Sequence, residues 1–315
     1  MSSASIPLDR AILEALTYSD IFDYPLRFDE LHRYLPVKAD VTELTFALAF
    51  LNRYIGNRSN YFFLSGRDEI VNLRQQREAH SRALLPIALR YGRILGSLPF
   101  VRMVALTGSL AVLNVSKNAD FDFMLVTAKG RVWTARAFAL LFNRMIRPYG
   151  HTICPNLIVS ESALEWPLHD LYSARELCQM IPITGMDVYR KVMSVNSWAM
   201  EFLPNASVLS LRGSTSGSNE AIPNSVTKRL FEFLLYSKLG DKFESWEMTR
   251  KIARFSKLPG FGEETVFNSE VCQGNFHHHR KWTREVFENR LSALAAVPGG
   301  EVYPVTSSPR TAMRA

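Results

Sequence analysis

The chain has 315 residues, of which 47% are hydrophobic, and a formal net charge of +7 at pH 7. The hydrophobic content excludes a chain that is disordered throughout, and the length predicts two or three domains. Neither a run of eighteen apolar residues nor a signal-peptide pattern occurs, so we expect no membrane span, and three widely spaced cysteines are typical of a cytoplasmic protein with reduced thiols.

The N-terminal region has the pattern of a small, mainly helical domain. Apolar spacing predicts helices over residues 8–19, 28–35 and 41–54, and a polar turn followed by an aromatic run predicts a hairpin over 55–66. Three helices and a hairpin in this order resemble the layout of a winged helix. We therefore expect a winged-helix-like domain over residues 1–75.

The central region alternates helix and strand patterns. A basic helical stretch over 68–98 comes first, and Pro86 either kinks it or starts a new helix. Three apolar runs then predict buried strands. The predicted strands are 101–106, 121–127 and 153–160, and the predicted helices are 131–147, 170–181 and 188–203.

The composition changes again after residue 205. Residues 206–225 are rich in Ser, Gly, Asn and Pro, which is typical of a linker. Residues 226–298 are predicted to form a helical C-terminal segment, and the tail over 299–315 is predicted to be disordered.

The residues with the clearest chemistry lie around the first two central strands. Asp120 and Asp122 are two residues apart, so on a strand they point to one face, with Phe121 and Phe123 pointing into the core on the other. Two adjacent carboxylates repel each other unless a cation neutralises them. Mg²⁺, or Mn²⁺ in its place, suits such a pair because hard ions prefer carboxylate and phosphate oxygens.

A Gly-Ser pair precedes the two aspartates by a spacer of ten residues. Gly108 lets the backbone approach a ligand closely, and Ser109 lies where a short helix is expected to begin. Free backbone N–H groups and a hydroxyl at such a turn can hold phosphates. Thr107, Gly108 and Ser109 are therefore the predicted nucleotide-binding residues.

This stretch resembles the nucleotidyltransferase superfamily that includes DNA polymerase β, the aminoglycoside nucleotidyltransferases and the small antitoxin-type nucleotidyltransferases. The matching pieces are Leu106, Gly108-Ser109 and Asp120-Phe121-Asp122-Phe123. More broadly, residues 100–205 look like a prokaryotic group in which this domain follows a winged-helix-like segment. The further pieces of that likeness are Gly130–Trp133, Asp170–Glu176, Asn196–Trp198 and Phe202–Asn205.

The resemblance implies an α+β fold, in which a polymerase-β-like domain with a small mixed sheet occupies residues 76–205. It also implies metal-dependent transfer of a nucleoside monophosphate from an NTP, with ATP as the first candidate. Pyrophosphate would leave, and the acceptor would be a small molecule, an RNA or a protein. Asp120 and Asp122 would hold the metal.

The family's third acid normally lies on a later strand, where it helps to hold the metal that activates the attacking hydroxyl. Here that strand should be 153–160, which contains no acid. Asn156 is predicted to stand in as the third catalytic residue, and Glu161, just past the strand, is the alternative. Arg175 and Glu176 either orient the site or pair with each other.

The sequence also leaves two other functions open. The protein could be a nucleotide-binding regulator with weakened catalysis, or a DNA-binding regulator. The third helix, however, has no Arg or Lys before Arg53, and groove-reading helices need cationic or amide side chains. Arg58 at the hairpin tip is the single basic candidate, so DNA binding is not favoured.

Overall fold

The computed structural model describes residues 6–116, 120–206 and 226–295. The predicted linker after Ala206, the predicted tail and Lys117 in the motif's spacer lie outside these ranges. The described chain is a mixed α/β structure with a mixed sheet. No helix in these ranges is long and apolar enough to cross a membrane.

The N-terminal region has the three predicted helices and the predicted hairpin, and a short strand between the first two helices that the sequence did not predict. Its hairpin turns at Ser59 and Asn60, which both adopt left-handed backbone angles with φ of 53° and 64°, as a two-residue hairpin turn requires. The three strands form an antiparallel sheet in the order β1-β3-β2. The elements are α1 (Leu8–Asp20), β1 (Leu26–Arg27), α2 (Phe28–Arg33), α3 (Val41–Phe50), β2 (Ile55–Arg58) and β3 (Tyr61–Leu64).

A single long helix, α4 (Glu69–Ser97), connects this region to the main sheet. Pro86 lies inside α4, so it does not start a new helix. The boundary predicted between residues 75 and 76 therefore falls within a continuous helix rather than in a linker.

The main sheet has six strands in the order β7-β4-β5-β6-β9-β8. β5 and β6 are parallel, and the other neighbours are antiparallel. The three strands predicted from the sequence are confirmed at their predicted bounds. The strands are β4 (Val101–Leu106), β5 (Phe121–Thr127), β6 (Ile153–Ser160), β7 (Ile181–Thr184), β8 (Thr265–Phe267) and β9 (Val271–Gly274).

Helices cover both faces of this sheet. They are α5 (Gly108–Ala111), α6 (Val132–Ile146), α7 (Leu171–Gln179), α8 (Met186–Val195), α9 (Ala199–Phe202), α10 (Val226–Leu235), α11 (Lys238–Phe255) and α12 (His279–Ala295). The single helix predicted over 188–203 is interrupted at Asn196. The buried Asn196 amide accepts from the Trp166 backbone N–H at 2.7 Å and donates to the Leu164 carbonyl at 2.8 Å, contacts that favour a break over a continued helix.

The prediction that residues 226–298 are entirely helical is wrong for residues 265–274. These residues form the β8–β9 hairpin, whose strand β9 pairs with the edge of β6 through Leu157 and Gln273. Strands of three and four residues are too short to give a clear periodicity, and they exist because β6 supplies hydrogen-bond partners. The C-terminal segment therefore completes the sheet.

Side chains alternate along β5 as predicted. Phe121 and Phe123 are buried in the core formed with α4, α6 and α11. Met124 and Val126 belong to the opposite core, which includes α7, α8 and the N-terminal helices. Asp122 shares the face of Met124 and Val126, on which α7, α8 and the N-terminal helices pack.

Candidate functional site

The Gly-Ser turn lies directly against Asp122. The Thr107 backbone N–H donates to the Asp122 carbonyl at 3.0 Å, which fixes the start of α5 beside the first residues of β5. Gly108 adopts φ +65°, and a Cβ built there would lie 3.1 Å from Cγ of Asp122 and closer still to Oδ2. Only glycine permits both this backbone conformation and this approach. The structure thus brings Gly108 and Asp122 together.

Asp120 and Asp122 differ in their exposure. Asp120 is exposed immediately before β5, whereas Asp122 is half-buried within the strand. Removal from water, together with the nearby charges of Glu176 and Asp120, raises the pKa of Asp122 from 3.8 to about 7. The Cys154 thiol donates a hydrogen bond to this carboxylate, which opposes the shift.

The third carboxylate near this pair comes from helix α7 rather than from a strand. Glu176 raises the pKa of Asp122, and burial raises the pKa of Glu176 itself from 4.5 to about 7. From the sequence, Glu176 and Arg175 were expected either to orient the site or to pair with each other. The signal that would have found it is the amphipathic spacing of 171–179, which puts Tyr172 and Glu176 on one face.

Arg175 and Glu176 point to different surroundings. The Arg175 guanidinium lies over the rings of Tyr34 and Tyr18, at 3.9 and 4.5 Å from their centroids. Burial lowers its pKa. Arg175 therefore anchors α7 to the N-terminal helices, and the described residues form no ion pair that joins it to Glu176.

Asn156 lies in an irregular part of β6. Asp122 is paired with Cys154, and Met124 with Leu157, so β6 has one extra residue between these pairs. Cys154, rather than Asn156, is thus the neighbour of Asp122, and Asn156 is half-buried. Glu161 follows the other end of β6, roughly 20 Å along the strand from the level of Asp122, where it accepts the Lys129 backbone N–H at 3.3 Å.

The polar groups of the predicted phosphate-binding residues Ser109 and Thr107 differ in their hydrogen-bond partners. Ser109 is half-buried in the first turn of α5, and its carbonyl accepts the Asn114 N–H at 2.8 Å. The Thr107 hydroxyl is buried without a hydrogen-bond partner among the described residues. A buried hydroxyl left unpaired is costly, so a ligand oxygen would satisfy it.

The N-terminal region holds the chain that follows α5. The Val112 carbonyl accepts hydrogen bonds from the Tyr24 hydroxyl at 2.9 Å and from the Arg74 guanidinium at 2.9 Å. Both donors also bond to Glu30, at 2.8 and 3.1 Å. These groups are almost fully buried, so the turn that carries Gly108 is connected to the N-terminal helices by a closed polar network.

Replacing Arg74 with Met is expected to lower the free energy of unfolding by about 3 kcal/mol, because Glu30 is almost fully buried and would lose the guanidinium that it bonds to at 3.1 Å. Urea denaturation measures this loss. Arg190→Met is the matched control, since its ion pair with Asp187 is exposed and the change should cost at most about 0.5 kcal/mol. Equal effects of the two changes would contradict the assigned role of Arg74.

The carboxylates of Asp120, Asp122 and Glu176 meet some, but not all, of the requirements of a divalent-cation site. Asp122 and Glu176 have raised pKa values and no ion-pair partner among the described residues, so a nearby cation would relieve both. No group of three metal-binding side chains forms within the described ranges. Two aspartates alone still suit Mg²⁺, which completes its shell with water and substrate phosphate oxygens.

Comparison with known proteins leaves the site to be interpreted from its own geometry. The chain matches no model of a known protein family, no curated protein and no solved structure.

Proposed function

We propose that the protein is a metal-dependent nucleotidyltransferase of the polymerase-β-like type. The observation that carries this proposal is the contact between Gly108 and Asp122, with Asp120 and Glu176 close enough to raise the pKa of Asp122. Asp122 and Glu176 have no ion-pair partner among the described residues, which fits a triphosphate held with its cation. The topology β4-α5-β5, with β6 parallel to β5, places the turn and the acids at one end of the sheet.

In this proposal each group has a defined role. Asp120 and Asp122 would hold Mg²⁺, which when bound would supply positive charge to neutralise the triphosphate. The N–H groups at Gly108 and Ser109 hold phosphate oxygens. The acceptor's hydroxyl oxygen forms a bond to the α-phosphorus, the bond from that phosphorus to pyrophosphate breaks, and the Glu176 carboxylate accepts the hydroxyl proton.

The proposal assigns the third acidic position to Glu176, on α7, in place of Asn156. A carboxylate with a pKa of about 7 is well matched to accepting a proton near neutral pH. Asn156 has no basic atom of comparable strength, and it lies where β6 departs from regular pairing with β5.

We further infer that residues 8–64 form a winged-helix-type module used for docking rather than for reading DNA. Helix α3 has no Lys or Arg, and Phe46 and Phe50 are exposed on it with ring centroids 4.8 Å apart. Arg58 is bonded to the Asp68 carbonyl at 2.8 Å and to Asn72 at 2.9 Å, so its charge is directed towards α4. These features suit a protein partner better than a nucleic acid.

The experiment that tests the activity uses pure protein, labelled NTPs, Mg²⁺ or Mn²⁺ and a cell extract as the source of acceptor. We expect label transfer from at least one NTP. The double variant Asp120→Ala/Asp122→Ala should reduce transfer to background. Wild-type transfer no greater than that of the double variant would refute the catalytic proposal, and metal-dependent ATP binding without turnover would then favour the regulatory alternative.

Stability should depend on pH and Mg²⁺ together. Since the folded pKa values of Asp122 and Glu176 are raised from 3.8 and 4.5 to about 7, the folded state binds protons more tightly than the unfolded state. Their contribution to the free energy of unfolding is therefore greatest below about pH 4, falls between about pH 4 and 7, and is constant above about pH 7. The total fall is on the order of 2 kcal/mol after allowing for the partial exposure of both side chains. Mg²⁺ should accordingly raise Tm more at about pH 8 than at about pH 5.

Thermal unfolding with and without Mg²⁺ measures this effect. Asp122→Asn should remove it, whereas Asn156→Ala should retain it. A Tm rise of equal size at both pH values, or one that persists in Asp122→Asn, would show that Mg²⁺ binds elsewhere.

A further inference from the structure

A cavity lies beside the proposed site on the same face of the sheet. It has a volume of about 110 Å³, and its walls come from β6, β8, β9, the first turn of α7 and the loop 163–168. Two of its lining residues connect it to the acids. Leu157 pairs with Met124, two residues beyond Asp122, and Tyr172 lies one helical turn before Glu176.

The interior of the cavity is mainly apolar. Leu157, Val159, Val266 and Val271 come from three adjacent strands, and the indole of Trp166 adds an aromatic wall. The Trp166 indole N–H is buried without a hydrogen-bond partner in the described part of the chain. A ligand oxygen that reached this N–H would supply a partner that the protein does not.

The charges around the cavity disfavour a polyanion. Three carboxylates line it, from Glu165, Glu263 and Glu264, against one guanidinium, from Arg280. Arg280 is bonded to Asp170 and Glu263 to Lys281, each at 3.0 Å, so these two charges are already matched and the remaining lining charges, from Glu165 and Glu264, are negative. RNA-binding surfaces need excess positive charge for phosphates, and this surface has the opposite balance.

We propose that this cavity binds the acceptor, and that the acceptor is a neutral or cationic small molecule with one ring-sized apolar group, a hydroxyl that reacts and a second oxygen that accepts the Trp166 indole N–H. The inference rests on the proposed nucleotidyl transfer and names its substrate class. At about 110 Å³ the cavity is smaller than one of about 150 Å³ that holds benzene, so it limits the apolar group to a single ring at most. The apolar ring packs against the side chains of β6, β8 and β9, and the reacting hydroxyl extends past Tyr172 towards Glu176. The hydroxyl oxygen bonds to the α-phosphorus as pyrophosphate leaves, and the Glu176 carboxylate accepts the hydroxyl proton.

Saturation-transfer NMR with benzyl alcohol and the full-length protein tests the cavity without any nucleotide. We expect benzyl alcohol to bind the wild type, and Ala163→Phe, which fills the cavity from the loop, to weaken binding by about tenfold or more. Trp166→Phe removes the N–H without adding volume and should weaken binding by a few-fold, which keeps the test valid if Ala163→Phe does not fold. Trp246→Phe, an exposed tryptophan on α11, is the matched control and should bind like the wild type.

The assignment is overturned if benzyl alcohol does not bind the wild type, or if both cavity variants bind it as the wild type does. The label-transfer assay supplies the second readout. Labelled products that are small molecules, and that Ala163→Phe reduces, support the acceptor role. Label found only on RNA or protein, unaffected by Ala163→Phe, overturns the acceptor class but leaves nucleotidyl transfer intact. Transfer no greater than that of the double aspartate variant ends both proposals, and the NMR result then still reports separately on the cavity.

Discussion

Glu176→Gln is expected to slow nucleotidyl transfer by about 10²–10⁴-fold, the range typical of a lost general base. Glutamine keeps the size and hydrogen-bonding capacity of the side chain but does not accept the proton from an attacking hydroxyl. Because burial already raises the pKa of Glu176 to about 7, removing its charge should not destabilise the fold. The measurement is initial rate of label transfer at saturating NTP, with Tm as the check on folding.

Asn156→Ala is the matched control for this prediction. The two residues compete for the third acidic position, so their variants should differ. We expect Asn156→Ala to change the rate by no more than a few-fold, because Cys154 occupies the place beside Asp122. A large loss in Asn156→Ala with full activity in Glu176→Gln would reverse the assignment and restore the position predicted from the sequence.

Gly108→Ala is expected to abolish label transfer and to lower the free energy of unfolding by about 2–4 kcal/mol. Two costs combine at this position. A non-glycine residue at φ +65° is strained, and its Cβ would meet the Asp122 carboxylate, which must then move. Moving Asp122 separates it from the turn that is proposed to hold the triphosphate.

Gly130→Ala isolates the first of these costs. Gly130 has φ +67°, and a Cβ built there meets nothing within 4 Å. Gly130→Ala should therefore lower the free energy of unfolding by about 1 kcal/mol and leave label transfer unchanged. Urea denaturation and label transfer are measured for both variants. If Gly108→Ala behaves like Gly130→Ala in both assays, the contact with Asp122 has no functional role.

The network at Val112 gives the N-terminal module a physical route to the site. Tyr24 and Arg74 hold the chain directly after α5, so a partner that shifted α1 or α2 would act on the Gly108 turn. The N-terminal region and the turn share one buried set of hydrogen bonds.

Much of the local structure followed from the sequence because its signals are local. The apolar runs of β4, β5 and β6 marked buried strands, and the alternation around Asp122 gave the correct face for Phe121 and Phe123. The polar turn at Ser59 and Asn60 likewise marked the first hairpin. Each of these depends on side-chain periodicity or backbone preference within a few residues.

Other features were set by contacts between distant parts of the chain. The β8–β9 hairpin depends on pairing with the edge of β6. The extra residue in β6 sets the pairing with β5 so that Cys154, and not Asn156, lies beside Asp122. Register and edge pairing are decided by the partner strand, which short segments do not encode by themselves.

The sequence by itself determined the Gly-Ser turn and the two aspartates, because their chemistry and spacing lie within one short stretch. Only the tertiary structure decided where a third acid lies. Glu176 is more than fifty residues from Asp122 in the chain, on a helix whose position over β5 depends on packing against the N-terminal tyrosines. Burial in that packed setting also sets the pKa values of both carboxylates, since desolvation is a property of the assembled fold rather than of any segment.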